Sequence, residues 1–281
     1  MVGGMKIAVA VPTRNACSGR WEEVLRAVDA QDLQPELKLI VDSESADGTR
    51  AAAAAHGWRC LRLRRDRFNH GGTRSRIVRI LHGKKFDAVV FLSQDVVLLR
   101  AESLRKLVEC LERTGAAGCF GRQFAGAGGA FLEWQRAKCY PAESYLRTGA
   151  DVGEYGLMTA FFSDAFGAWN IPIVMKYGAF PETDFGEDAL LAGKALLNGE
   201  SIAYCAEAEC LHEHRDDFRG VWSRGRMVGK FHRRHRWLLR SFGRPEVNGR
   251  SSRGRSPRLP PKAWSAFAVK TLGYICGRFL M

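Results

Sequence analysis

Arg67-Phe68-Asn69-His70-Gly71-Gly72-Thr73-Arg74 sets polar side chains around two adjacent glycines, and Ser93-Gln94-Asp95 follows about twenty residues later. The first run reads as a glycine-bearing loop that leads into a helix starting near Thr73. Asp95 stands at the end of Ala88-Val89-Val90-Phe91-Leu92, an apolar run of strand length. A strand-end carboxylate beside a polar glycine loop is what a nucleotide-and-metal site needs, because a hard cation bridging two phosphates takes oxygen ligands.

Three further clusters could join that chemistry. Asp42-Ser43-Glu44-Ser45-Ala46-Asp47-Gly48-Thr49 follows another apolar run. Asp42 there could accept from a base N–H or a ribose hydroxyl, and it equally suits an Asx-turn before a helix capped by Asp47 or Thr49. Gly186-Glu187-Asp188 precedes a helical stretch. A carboxylate there either complements the helix dipole or serves as a general base toward an attacking hydroxyl. His212-Glu213-His214 ends an apolar stretch. On a strand, residues i and i+2 share a face, so His212 and His214 could reach one metal. His70 is either a turn-packing histidine or a substrate contact.

The elements that must position these residues alternate. Strand signals occupy Lys6 to Val11, Leu37 to Val41, Trp58 to Leu63 and Ala88 to Leu92. Between and after them, Trp21 to Ala30, Thr49 to His56, Thr73 to Leu81 and Glu102 to Arg113 have helical spacing. Such alternation predicts an α/β fold, a mostly parallel central sheet with helices on both faces. Ligands of such sheets lie beyond the carboxyl ends of the strands, where Thr13, Asp42 and Asp95 fall. Gly121 to Phe180 reads as irregular, Ala189 to Leu197 as helix and Ser201 to Leu211 as strand. The organisation expected is one domain over 1–240, a basic flexible linker over 241–262 and an amphipathic helix over 263–281.

Composition bounds the alternatives. With 281 residues, 46% of them hydrophobic, the chain can bury a large core. Eight scattered cysteines form no CxxC pair and read as small reduced core residues. No stretch of eighteen apolar residues is present, and Met1 to Ala10 lacks the features of a signal peptide, so a cytosolic protein is expected. The net charge of +13 is uneven: from His212 onward there are 17 Lys and Arg against 4 Asp and Glu, and the preceding residues are neutral. A basic tail seeks phosphates. A nucleic-acid-binding protein would leave the neutral, motif-bearing part without a task, so nucleic acid is not expected as a partner.

Taken in order, Pro12-Thr13-Arg14-Asn15, the Asp42 to Thr49 run, Phe68 to Arg74, Ser93-Gln94-Asp95, Gly121-Arg122-Gln123, Glu187-Asp188 and His212-Glu213-His214 resemble family-2 glycosyltransferases of the GT-A fold. The nearest likeness is to bacterial rhamnosyltransferase-like members. The resemblance spans roughly residues 5 to 230, and its most specific piece is the Asn69 to Arg74 run. Ser75, Ser93 and Glu213 depart from the usual pattern.

The resemblance implies roles. Pro12, Thr13 and Asp42 would line the nucleobase and ribose pocket, with Arg14 nearby. His70, Arg74 and Gln94 would face the donor, and Asp95 and His212 would hold Mg²⁺ or Mn²⁺ on the diphosphate, with His214 beside them. Asp188 would be the base, with Glu187 its neighbour. The implied reaction is inverting transfer of a sugar from a nucleotide-diphosphate donor, L-rhamnose from dTDP-rhamnose first and a UDP- or GDP-hexose or N-acetylhexosamine second. The acceptor would be a surface-polysaccharide or lipid-linked glycan. In the tail, Trp264, Phe267, Ala268, Leu272, Ile275, Cys276 and Phe279 recur at helical spacing with Lys262, Lys270 and Arg278 beside them. That pattern suits a helix lying on an anionic membrane surface, which places the protein peripherally at the inner face of the plasma membrane. It also suits a helix packed on the domain.

Overall fold

Short apolar runs too long to stay solvated, each followed by an amphipathic stretch, leave the chain one economical arrangement: strands side by side with helices over both faces. The computed structural model describes residues 4–127, 129–213, 217–243 and 257–279. The strands are β1 (Ile7–Thr13), β2 (Leu37–Asp42), β3 (Arg59–Arg62), β4 (Ala88–Leu92), β5 (Val96–Leu98), β6 (Gly118–Phe124), β7 (Tyr145–Arg147), β8 (Phe166–Asn170) and β9 (Ile202–His212). The helices are α1 (Trp21–Asp29), α2 (Thr49–Ala55), α3 (His70–Gly83), α4 (Ser103–Thr114), α5 (Ala130–Cys139), α6 (Val152–Tyr155), α7 (Ile171–Lys176), α8 (Glu187–Leu197), α9 (Phe218–Arg234), α10 (Arg236–Phe242) and α11 (Trp264–Phe279).

The strands form one sheet in the order β3-β2-β1-β4-β8-β6-β9-β5, with β7 paired to β9. β3, β2, β1 and β4 are parallel; β8 runs against β4 and β6, and β9 runs parallel to β6. Six of the nine strands therefore share one direction, with β5, β7 and β8 opposed. Period-two alternation sends Val89 and Phe91 of β4 into one core and Ala88, Val90 and Leu92 into the other. α3, α7, α8 and α10 cover the first core, and α1, α2 and α4 cover the second. Both faces of β4 are sealed, so its carboxyl end is the edge left open for a ligand.

Two expectations are corrected. Gly121 to Phe180 is not irregular: it contains β6, α5, β7, α6, β8 and α7. The central strand β8 was hidden because Gly167 interrupts its apolar run; a Cβ there would come within 2.8 Å of Phe162. Helix α3 begins at His70 rather than Thr73. Asn69 caps it, its Oδ1 accepting from the Gly72 N–H at 2.6 Å, so the two glycines form the first helical turn and not a loop.

The C-terminal helix forms where the periodicity places it, but its buried face is not the apolar stripe. Gly273 and Gly277 of α11 face Gly225 and Gly229 of α9. A Cβ on Gly277 would lie 2.0 Å from the Arg226 carbonyl oxygen, and one on Gly229 2.2 Å from that of Tyr274. Four glycines thus let two parallel helix backbones meet, and no larger residue fits. Trp264, Leu272, Ile275 and Phe279 point the other way and are 62%, 58%, 42% and 69% exposed. Most of the expected linker over 241–262 lies outside the described residues.

Candidate active site

Thr13 and Asp42 are register partners at the carboxyl ends of β1 and β2. Both are buried. The Asp42 carboxylate accepts from Thr13 Oγ1 at 3.1 Å, from the Ser45 N–H at 3.0 Å and from Ser45 Oγ, with Arg50 Nε 3.7 Å away. The side chain thus closes its own turn three residues on, which fixes a carboxylate at the strand end. Asp47 accepts from the Thr49 N–H two residues on, an Asx-turn, and from the Cys17 N–H across the loop. Pro12 is half-buried and Arg14 exposed. Gln94 ties the end of β4 to β1: its Oε1 accepts from the Arg14 N–H at 2.8 Å and its Nε2 donates to the Arg14 carbonyl at 3.2 Å.

Asp95 and His212 are separated by more than a hundred residues and meet because β5 pairs with the end of β9, Val96 opposite His212. β9 reaches that position through a bulge: Gly121 faces Cys205 but Arg122 faces Glu209. His212 Nε2 lies 3.5 Å from Asp95 Oδ1. The opposite ring edge is held by Gln123, whose Oε1 lies 2.9 Å from His212 Nδ1 and accepts from Arg136 Nη1 at 2.7 Å. A guanidinium can only donate, so the amide oxygen must face it. Arg136 Nη2 also lies 3.3 Å from His212 Nδ1, so Gln123 and Arg136 together hold that edge of the ring and leave Nε2 toward Asp95. An oriented imidazole whose Nε2 converges with a carboxylate fits a divalent cation of the Mg²⁺ or Mn²⁺ kind. Among the described residues no group of three or more His, Cys, Asp or Glu could hold a metal, so two protein ligands would leave positions for diphosphate oxygens. His214 lies outside the described residues.

The second cluster surrounds Arg74. This side chain is 6% exposed, forms an ion pair with Glu187, and places Nε 3.0 Å from Asp164 Oδ2. Asp188, the next residue on α8, accepts from the Ala189 N–H at 2.8 Å and the Asp164 N–H at 3.2 Å. One guanidinium thus faces two buried carboxylates and the half-buried Asp188. Burial, reinforced by Glu187 and opposed by Arg74, raises the Asp188 pKa to about 6. Burial likewise lifts Asp164 well above the carboxylate range, with Arg74 opposing. His70 keeps an exposed edge, and its packing against the cleft wall together with Arg74 pushes it down to about 4, so it is neutral. Arg74 Nη1, 3.3 Å from His70 Nδ1, can only donate, which leaves the His70 proton on Nε2.

The glycine run explains how these groups converge. The Gly71 N–H donates to the Thr183 carbonyl at 3.0 Å, and a Cβ on Gly71 would sit 1.8 Å from the Pro181 carbonyl oxygen. The acidic loop before α8 therefore lies directly on the first turn of α3. His70, Arg74, Ser93, Asp164, Glu187 and Asp188 together wall a cleft of about 640 Å³.

The chain has counterparts among known proteins. The model of the family described as "Glycosyl transferase family 2" matches residues 8–169. The chain belongs to glycosyl transferase family 2. Within the family it is 33% identical over 235 residues to the O-antigen chain rhamnosyltransferase WbaN of Salmonella anatum, covering 83% of this chain and 74% of that protein. It is 33% identical over 244 residues to the O-antigen chain rhamnosyltransferase RfbN of Salmonella typhimurium, covering 85% and 76%. Its fold is similar to that of the mannosyltransferase PcManGT from Pyrobaculum calidifontis, solved with GDP-Man and Mn²⁺, at a TM-score of 0.62, 16% identity and 98% and 72% coverage. It is also similar to glucosyl-3-phosphoglycerate synthase from Mycobacterium tuberculosis, at 0.57, 19% and 87% and 82%. The architecture is the GT-A fold, and the protein is a glycosyltransferase.

In this family-2 glycosyltransferase the sequence brought Asp188, Glu187, Arg74 and His70 to notice, and the structure gathers them in one cleft. Asp164 went unnoticed. Its only signal was indirect: the indole of Trp169 on β8 needs an acceptor when buried, and Asp164 Oδ1 supplies it at 2.6 Å. Gln123 stood in a recognised motif without a role, and Arg136 stood in none.

Proposed function

We propose that this family-2 glycosyltransferase is an inverting rhamnosyltransferase. It moves L-rhamnose from dTDP-β-L-rhamnose to a hydroxyl of a surface-polysaccharide or lipid-linked glycan and leaves an α-rhamnoside. The observation that carries the chemistry is Asp188, a half-buried carboxylate with a raised pKa in the wall of a cleft that also includes Ser93 of the Asp95 loop. The two 33%-identical O-antigen chain rhamnosyltransferases support the sugar.

The acceptor hydroxyl attacks the anomeric carbon in line with the departing diphosphate. Its proton passes to Asp188, the new C–O bond forms as the bond to the diphosphate oxygen breaks, and dTDP leaves. Arg74 acts on the carboxylates rather than on the donor: it holds Glu187 and Asp164 and keeps Asp188 ionisable near neutrality. His70 offers Nε2–H as a neutral donor. Thr13 and Asp42 bound the base and ribose end, and Gln94 fixes the strand ends that carry them. A divalent cation bound by Asp95 and His212 would supply charge neutralisation for the leaving diphosphate, as a Lewis acid does.

A thermal-shift panel tests the donor. With Mn²⁺ present, dTDP-rhamnose at a hundred times its Kd is expected to add ~2.7 kcal/mol. A larger shift with UDP-glucose, GDP-mannose or UDP-N-acetylglucosamine reassigns the sugar, and no shift with any nucleotide sugar removes the transferase reading of the site.

The tail also keeps the membrane-docking role, on the apolar stripe that the helical spacing predicts. Among the described residues no helix is long and apolar enough to cross a membrane. Trp264, Leu272, Ile275 and Phe279 form an exposed apolar row opposite the glycine face of α11, and Phe218 and Trp222 of α9 are also exposed. Arg219, Arg234 and Lys262 on these segments are exposed as well. An exposed apolar row with basic neighbours suits an anionic lipid surface, here the inner leaflet of the plasma membrane. Vesicles containing phosphatidylglycerol should bind the protein at low salt. The combined Trp264→Ser, Leu272→Ser and Phe279→Ser variant should stay in the supernatant with its melting temperature unchanged. Equal sedimentation of variant and parent would end the docking reading.

A further inference from the structure

Five arginines fall within nine residues along and just past β3: Arg59, Arg62, Arg64, Arg65 and Arg67, with Asp66 the one acid among them. All five are exposed. The residues before His212 carry acids and bases in equal number, so this row is a local excess of positive charge on a neutral body. Arg64 pairs with Asp66 at 2.6 Å, and among the described residues no carboxylate pairs with the side chains of the other four. The fold sets the row at the nucleotide end of the site. β3 is the outer strand of the sheet, and Arg62 at its carboxyl end is the register partner of Asp42. The Leu63 N–H donates to the Asp42 carbonyl at 2.9 Å, and the Arg65 N–H donates to Glu44 Oε2 at 3.3 Å. Arg67 then precedes Phe68, whose ring meets that of His70 edge-on with centroids 5.1 Å apart. The row thus runs from the Asp42 turn to the first turn of α3. Asp42, Glu44, Asp47 and Asp66 are the acids of this region. Arg14 and Arg50 join the row, so the balance stays positive.

The cleft beyond has the opposite character. Asp164, Asp184, Glu187 and Asp188 line it alongside Arg74 and Lys270. A nucleotide sugar brings a negatively charged diphosphate, so it meets more acids than bases on that side and the arginine row on the other. Arginines on an outer strand also block edge-to-edge pairing with another chain. That task suits Arg59 and Arg62. It does not suit Arg65 and Arg67, which lie past the strand in a short 3₁₀ turn, Arg65–Arg67. We infer that Arg62, Arg65 and Arg67 form an electrostatic guide that draws in the nucleotide sugar by its diphosphate and turns the nucleotide toward Asp42, leaving the acidic wall to the acceptor. This deepens, and rests on, the reading of the cleft as a glycosyl-transfer site. The guide works through its field rather than through contact. It acts over about one Debye length, ~10 Å at 0.1 M salt, and sets the rate of arrival rather than the lifetime of the complex.

The test is stopped-flow binding of N-methylanthraniloyl-labelled dTDP to the full chain with Mn²⁺ present, with labelled UDP as the second probe. The combined Arg62→Gln, Arg65→Gln and Arg67→Gln variant removes three charges and leaves Arg59 on the strand edge. Its comparison is the combined Lys84→Gln, Lys85→Gln and Arg113→Gln variant. That one removes three exposed charges at the amino ends of β4 and β6, across the sheet from the site. At low salt the arginine variant is expected to associate roughly tenfold more slowly than the parent, within the range of steered encounters, with a dissociation rate within about twofold. The two should converge near ~0.5 M salt, where the charges are screened. The comparison variant should associate as the parent does. An unchanged association rate in the arginine variant would overturn the proposal. Equal slowing in both variants would overturn it as well, showing an effect of net charge alone. Faster dissociation at an unchanged association rate would make the arginines direct ligands instead. Loss of binding to phosphatidylglycerol vesicles with nucleotide association intact would assign the row to a lipid surface. Failure of the parent to bind either nucleotide would remove the transferase reading and the guide with it, whereas normal binding with an unaltered rate of arrival would remove the guide alone.

Discussion

Asp188→Asn is expected to lower kcat by at least ~10²-fold, the low end for loss of a general base, while the affinity for the nucleotide-sugar donor stays close to that of the parent. The substitution keeps the shape of the side chain, and its amide oxygen can still accept from a backbone N–H as Asp188 does from those of Ala189 and Asp164. It removes the capacity to take a proton and, because the amide NH2 cannot accept, one of those two hydrogen bonds. Glu187 is a poor candidate for the same task because its carboxylate is engaged by Arg74 in a buried ion pair. The pH dependence follows from the environment. Burial and the neighbouring Glu187 raise Asp188 to about 6, against the pull of Arg74. The ionised form is the active one, so kcat/KM should be full above that value and fall as pH drops through it. A steep rate loss in Glu187→Gln with a mild one in Asp188→Asn would exchange the two roles. A flat profile from pH 5 to 8 would remove Asp188 as the base.

Removal of divalent metal with EDTA should abolish transfer, and Asp95→Ala should do the same with metal present. Asp95 and His212 converge at 3.5 Å on one side of the imidazole, while Gln123 and Arg136 fix the other. Losing the carboxylate leaves one protein ligand among the described residues. Gln123→Met keeps the length of the side chain but removes the oxygen that holds the His212 ring. It should weaken Mn²⁺ binding, read by electron paramagnetic resonance, by ~10- to 100-fold, the usual cost of losing a group that orients a metal ligand. Undiminished Mn²⁺ binding in His212→Ala would show that the metal lies elsewhere. Full turnover in EDTA would show that the reaction needs none.

The order of the chemical residues along the chain was legible before any coordinates. Each lies where a local pattern ends: Thr13, Asp42 and Asp95 at apolar runs, Glu187 and Asp188 at a helix start, and His212 after a strand. Local periodicity marks such ends because backbone hydrogen bonding and side-chain burial change together there. The open edge of a parallel sheet then follows from the alternation of elements alone.

What the sequence could not decide was which ends meet. Asp95 reaches His212 only because β9 is bulged and its last residues pair with β5, a long-range register with no local signature. Arg74 would be read as a donor contact from its motif, yet the fold surrounds it with carboxylates from α8 and the segment before β8. The tail shows the same division most clearly. Its helix was written in the spacing of apolar residues, but glycine carries no hydrophobic signal, so the four glycines that dock α11 on α9 were invisible to periodicity. Close packing of two backbones, which only tertiary contact reveals, turned the bulky apolar face outward and set Lys270 beside the cleft that contains Asp188.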